Sequence, residues 1–257
     1  MMKISSPTAK AKARLLLNKY FIEGPGELNL ERLANAENLI IEEAELNNYL
    51  GMINFGNGYG IMKISKNIKE YGQKRFVIAH EMGHFYTQKC NHKHCNSNDL
   101  LAYKPDGGYE NDANQFAAEL LMREEWFTDY TKKHILNLEL LKDTAEYFKV
   151  SLTAAAIRYT ELGITPLAVI LSKNGFVYAS IINTDFPYQF VPKGYKVNKF
   201  SNAFEFYQDG EMNEEPDEIL ADAWFTEDFN YEPGRLLIEQ NLPMPRYNSV
   251  LTIIYEK

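Results

Sequence analysis

No stretch of this 257-residue chain approaches the roughly 20 consecutive apolar residues that span a bilayer, so no membrane helix is expected. The opening Met1-Met2-Lys3-Ile4-Ser5-Ser6-Pro7 has no apolar run behind its lysine and does not read as a signal peptide, which points to a cytoplasmic protein. Cysteine is scarce. Cys90 and Cys95 sit five apart, which is no disulfide framework. Glycine and proline, at 15 and 10, are not enriched, and this argues against wholesale disorder. Positive charge is not in excess either. The net charge of −8 disfavours a general nucleic-acid binder. Basic residues are absent altogether from Ser201 to Glu232, which holds eleven Asp or Glu; with those set aside, the −8 becomes +3.

What is present is ordinary globular material: 45% apolar and 24% charged residues, with 17 Tyr and 15 Phe suggesting a second core or an aromatic contact surface. The length allows one large domain or two small ones. Ser6-Pro7 reads as an N-cap with proline at the first helical position, followed by a helix through Leu15, Leu16, Tyr20 and Phe21. A short helix is expected from Leu28 to Ala36. Strands are expected at Leu39 to Ile41, Tyr49 to Phe55 and Gly60 to Ile64, the last two flanking the hairpin signal Gly56-Asn57-Gly58-Tyr59. Helical patterning covers Lys69 to Lys89 and resumes at Tyr109, with a polar loop from Cys90 to Gly108 between. Two more helices, Asn137 to Phe148 and Ser151 to Leu162, meet at Lys149-Val150. Beyond Pro166 the pattern turns to strands: Leu167 to Leu171, Phe176 to Ile182 around Lys173-Asn174-Gly175, Arg235 to Ile238, and Val250 to Tyr255. The expected organisation is therefore α+β: a mainly helical domain at 1–165 with a small N-terminal β-sheet, and a smaller α+β domain at 166–257.

His80-Glu81-Met82-Gly83-His84 matches H-E-x-x-H. On a helix, residues four apart lie about 40° apart around the axis, so both imidazoles can face one cation. Glu81, about 100° round from His80, can reach a water at the cation without binding the cation itself. A catalytic zinc takes three protein ligands and keeps one position open. A histidine six residues beyond His84 would be the third in metzincins, but position 90 is Cys90. The alternative is a glutamate on a later helix. From Tyr109 to Met122, the residues Glu110, Ala113, Asn114, Ala117 and Leu121 share a face; the two alanines permit close approach, which lets Glu110 reach the metal. Asn114 can hydrogen-bond to a ligand from behind. Glu119 falls about 180° from Glu110 and is set aside. Zinc is the expected metal, and Mn2+ fits the same ligands. Tyr103, Tyr109 and Tyr86 are candidate oxyanion donors among which the residues do not choose.

The segment from Arg75 to His84, Arg-Phe-Val-Ile-Ala-His-Glu-Met-Gly-His, and the segment from Glu110 to Met122, Glu-Asn-Asp-Ala-Asn-Gln-Phe-Ala-Ala-Glu-Leu-Leu-Met, resemble the ImmA/IrrE family of metallopeptidases. The likeness covers about residues 60 to 165 and includes the helix pair from Val150-Ser151-Leu152 to Arg158-Tyr159. It departs at Arg123, where the family usually has proline. The resemblance implies a zincin-like, gluzincin-type peptidase core in which His80, His84 and Glu110 hold zinc and Glu81 is the general base. It also implies a protein substrate, a helix-turn-helix DNA-binding repressor cut once to switch on genes. Two other functions compete: a non-catalytic binding or sensor protein with a structural metal, and a zinc hydrolase of a small molecule. A structural site would need a fourth protein ligand, and none is evident.

Three weaker signals remain. Cys90-Asn91-His92-Lys93-His94-Cys95 holds four potential metal ligands, but its spacing fits no standard zinc finger; a solvated loop lining the cleft is expected. The helix pair around Phe148-Lys149-Val150-Ser151 resembles a helix-turn-helix, yet its second helix carries Arg158 as its one strong cation, so packing or docking is expected rather than direct nucleic-acid binding. The acidic stretch carries Phe204, Phe206, Tyr207, Trp224, Phe225 and Phe229. These either dock a basic partner or point into the core of the second domain.

Overall fold

The computed structural model describes residues 8–47, 49–88, 93–95 (backbone only) and 108–257. The architecture is α+β. The first helix, α1 (Ala9–Lys19), starts later than expected. Its N-cap is Thr8, whose hydroxyl oxygen accepts from the Ala11 N–H at 3.3 Å; Ser6 and Pro7 lie outside the described residues. α1 ends when the Ile22 N–H reaches back to the Leu17 carbonyl, with Phe21 in the left-handed region at φ 53°. α2 (Leu30–Ala36) is capped by Asn29, which accepts from Arg32 N at 2.8 Å.

β1 (Leu39–Ala44), β2 (Gly51–Gly56) and β3 (Tyr59–Ser65) follow, then α3 (Tyr71–Thr87). The β2–β3 turn is Asn57-Gly58 with φ of 52° and 82°, the doubly positive pair that matches strand twist in a two-residue hairpin. β1 runs parallel to β3, and β2 is antiparallel to both β3 and β4 (Lys93–Cys95), giving the order β1-β3-β2-β4. The strand β4 corrects the expectation that Cys90 to Gly108 is loop throughout: Gly51 to Ile53 offer their outer edge, and Lys93 to Cys95 pair with it. α4 (Tyr109–Leu121) packs against α3 and α1.

An unexpected helix, α5 (Glu124–Thr131), follows Arg123. Then come α6 (Leu138–Phe148) and α7 (Leu152–Glu161), joined through Lys149, at φ 54°. β5 (Leu167–Lys173), β6 (Phe176–Ile182), β7 (Asp217–Leu220), β8 (Leu236–Met244) and β9 (Ser249–Tyr255) build an antiparallel sheet in the order β6-β5-β9-β8-β7, with α8 (Ala203–Asp209) beside it. α8 and β7 lie in the acidic stretch and were not expected.

The chain divides into two compact units, Met1–Asp129 with Ala145–Ser151, and Tyr130–Thr144 with Leu152–Lys257. The division falls before residue 165 because α7 packs on β5 and β6, burying Ala155, Ala156 and Tyr159. In the first unit the core gathers Leu16, Leu17, Ile53, Val77, Met82, Phe116 and Leu120. In the second, Phe206, Trp224 and Phe225 of the acidic stretch enter the core, whereas Phe229 is fully exposed. Arg158 is 1% exposed, so it offers no cationic surface. Among the described residues, no helix is long and apolar enough to cross a membrane.

Candidate metal centre

α3 and α4 make the site by crossing at very short range. A β-carbon on Gly83 would lie 2.8 Å from both Cα and the carbonyl oxygen of Ala113, so the glycine of the motif and the alanine one turn after Glu110 meet backbone to backbone. That contact carries the first turn of α4 to the imidazoles. Oε2 of Glu110 lies 3.3 Å from Nε2 of His80 and 3.4 Å from Nε2 of His84. The two rings are edge to face, with centroids 4.6 Å apart.

These separations can be tested against an ion. Bonds of about 2.0–2.1 Å at a tetrahedral angle place neighbouring ligand atoms roughly 3.3–3.4 Å apart. Both measured distances fall on that edge length. The donor set of two imidazoles and one carboxylate is that of a three-ligand catalytic zinc. Nε2 of His80, Oε2 of Glu110 and both carboxyl oxygens of Glu81 are buried with no hydrogen-bond partner among the described residues, and a buried polar atom in that condition costs about 1–3 kcal/mol. A cation among the three ligand atoms satisfies those aimed at it. His80, His84 and Glu110 thus form a metal-binding triad, the one such cluster among the described residues.

Groups behind the ligands orient them. Oδ1 of Asn114 accepts from Nδ1–H of His80 at 2.8 Å, which leaves Nε2 as the lone-pair nitrogen. Gln88, not anticipated, touches Nδ1 of His84 with its amide group, while its Oε1 has no partner among the described residues. Turning that amide over would put Oε1 on Nδ1–H, the acceptor a metal-binding tautomer requires. The signal was in the chain, since Gln88 stands four residues after His84 on the same face.

The electrostatics separate the two carboxyl groups. Burial alone would raise Glu110, but the two imidazoles, whose Nε2 atoms lie 3.3 and 3.4 Å from its Oε2, hold it well below the usual carboxylate range. Glu81 is raised well above that range, first by burial and then by the charge of Glu110. Glu119 is fully buried elsewhere, its Oε1 2.6 Å from Nε of Arg14.

Of the tyrosines, Tyr86 lies about 200° round α3 from His84. Its ring stacks on Phe116 with centroids 5.2 Å apart, and burial, with Glu37 adding to it, pushes its hydroxyl far up. Tyr109 is exposed at the start of α4. Tyr103 lies outside the described residues, as do Cys90, His92 and the side chains of His94 and Cys95.

The site gathers two histidines and a glutamate at one point, the donor set that a metallopeptidase domain requires. Residues 38–160 match the model described as "IrrE N-terminal-like domain" (Peptidase_M78), and this segment belongs to the ImmA/IrrE metallopeptidase family. A solved structure described as a Mycobacterium tuberculosis transcriptional regulator is similar in fold, with a TM-score of 0.56 at 14% identity, over 96% of this chain and 76% of that one. No curated protein matches the chain.

Proposed function

We propose that the chain is a zinc-dependent endopeptidase that regulates transcription by cutting a helix-turn-helix repressor in the cytoplasm. One observation carries the hydrolytic part: two imidazoles and a distant carboxylate stand at zinc's ligand-to-ligand spacing, beside a buried carboxyl group that has no hydrogen-bond partner among the described residues. A divalent cation held there supplies Lewis acidity, which acidifies a water and polarises the scissile carbonyl. The protein's own share begins with His80, His84 and Glu110, which hold the ion, while Asn114 keeps His80 in the binding tautomer. Glu81 takes the proton of the attacking water on a carboxyl oxygen as the oxygen–carbon bond forms. It then delivers that proton to the amine nitrogen as the carbon–nitrogen bond breaks. Tyr109 is the favoured oxyanion donor among the described tyrosines, because it adjoins Glu110 and is exposed.

Family membership supports a protein substrate. The repressor is the finer part of the proposal, and residues 166–257 are assigned the docking of it. The test is co-incubation with a repressor encoded beside this gene. Wild type cuts it, a chelator stops the cut, and Glu81→Gln binds zinc but leaves the repressor whole. A repressor cut equally well by Glu81→Gln would remove Glu81 from the reaction. An uncut repressor, with zinc bound and Glu81 intact, would remove that substrate.

A further inference from the structure

β2 begins with a glycine that no turn requires. Gly51 is buried and sits in register with Ile64 on β3 and Cys95 on β4. Glycine inside a strand adds backbone entropy to the unfolded chain and packs nothing, so it marks a place where something else comes close. Here that is the carboxyl group of Glu81. A β-carbon on residue 51 would lie 2.6 Å from its Oε1 and 3.2 Å from its Cδ, and 2.7 Å from Cγ1 of Val77. Among the described residues neither Glu81 oxygen has a hydrogen-bond partner, so no directional bond from this part of the protein holds the group in place. Shape does so instead: the bare strand backbone lies so close to the carboxyl group that no side chain fits between them.

We infer that Gly51 is a positioning residue for Glu81, setting the place of its carboxyl group by offering no side chain. The role of Glu81 rests on the function proposed above; the contact itself does not. An alanine at 51 would fall about 0.8 Å short of ordinary van der Waals separation from Oε1, which begins at 3.4 Å, and the carboxyl group, at the free end of a flexible side chain, is the part that gives way most readily. A displacement of that size is enough to cost on the order of 10²-fold in a proton transfer. The ligands His80, His84 and Glu110 are untouched by the change.

The test uses the full chain with Co2+ as the probe, because its visible absorption reports the surroundings of the ion without needing a substrate. Gly51→Ala is expected to bind Co2+ within about threefold of wild type, less than the loss when a ligand's own support is removed. Its spectrum should shift in the same direction as that of Glu81→Gln. A wild-type spectrum in Gly51→Ala would overturn the proposal. The second measurement is a thermal cycle. Gly51→Ala should lower Tm by roughly 2–12 °C in wild type and by less than half as much in a Glu81→Ala background, where the obstructing carboxyl group is gone. Relief by Val77→Ala but not by Glu81→Ala would also overturn it, since the glycine would then only make room for valine. If Gly51→Ala does not fold, the double variant with Glu81→Ala must; its failure counts against the proposal as well. A coupled thermal cycle with a spectrum unmoved by Glu81→Gln would place the error in the assigned role of Glu81, and the positioning role would fall with it.

Discussion

Replacing Asn114 by alanine removes one hydrogen-bond acceptor from a buried ring and leaves the three metal ligands in place. In the wild type, Oδ1 of Asn114 accepts from Nδ1–H of His80 at 2.8 Å, and the histidine is fully buried. In the metal-free variant the ring can escape the penalty by moving its proton to Nε2, where Oε2 of Glu110 lies 3.3 Å away. With metal bound it cannot, because Nε2 is then a ligand and the proton must stay on Nδ1. The cost of an unsatisfied buried donor, about 1–3 kcal/mol, therefore falls on the bound state alone. That corresponds to a zinc affinity weakened roughly 10- to 100-fold. Competition with a chromophoric chelator measures it, with Asn114→Asp as the control that keeps an acceptor. An Asn114→Ala affinity within about twofold of wild type would refute the tautomer argument.

Gly83→Ala should be harsher than an exposed helical Gly→Ala, because its β-carbon meets Ala113 backbone that cannot turn aside. Denaturant unfolding is expected to show a loss of about 1–3 kcal/mol or more, together with lost zinc binding, and retention of both would deny the tight crossing. Arg14→Ala removes the charged partner of the buried Glu119 carboxylate; since Arg14 is about one-third exposed, the usual cost is discounted to about 2–3 kcal/mol. Lys142→Ala, whose partner Glu214 is as exposed as the lysine, should change stability by less than about 1 kcal/mol, and equal effects would contradict the burial argument. Glu239 on β8 is raised by burial, against the hydrogen bonds from Ser201, Asn241 and the amides of Asn202 and Ala203. A raised folded-state pKa means its contribution is full below the unfolded value of about 4.3 and declines as pH climbs to the folded value. Unfolding free energy compared across that window should fall with pH in wild type relative to Glu239→Gln, and parallel curves would count against it.

The regular elements with strong local periodicity were legible, and the hairpins at Asn57-Gly58 and Asn174-Gly175 stand where their dipeptides demand positive φ. Legibility failed where long-range partners supply the order. The expected strand stops at Ile238, whereas β8 runs on to Met244. It continues because all three polar side chains find buried partners: Glu239 accepts from Ser201 Oγ, Gln240 accepts from Leu138 N, and Asn241 accepts from Thr252 Oγ1. β7 and α8 were missed among acids because only Ile219, Ala203 and Phe206 in them are buried, too few to make a pattern. The late start of α1 turns on Thr8, a cap as good as Ser6 by composition.

The chain by itself determined the residue types and their local phase: two histidines one turn apart, a glutamate beside the first, small residues flanking Glu110 in α4. These follow from the helical repeat, which acts between near neighbours and needs no fold. Only the tertiary structure decided that the Glu110 carboxylate reaches both imidazole nitrogens, that Gln88 backs His84, and that Gly51 stands behind Glu81. Each of these depends on where two separate elements cross, and packing across the core sets that distance to within an ångström.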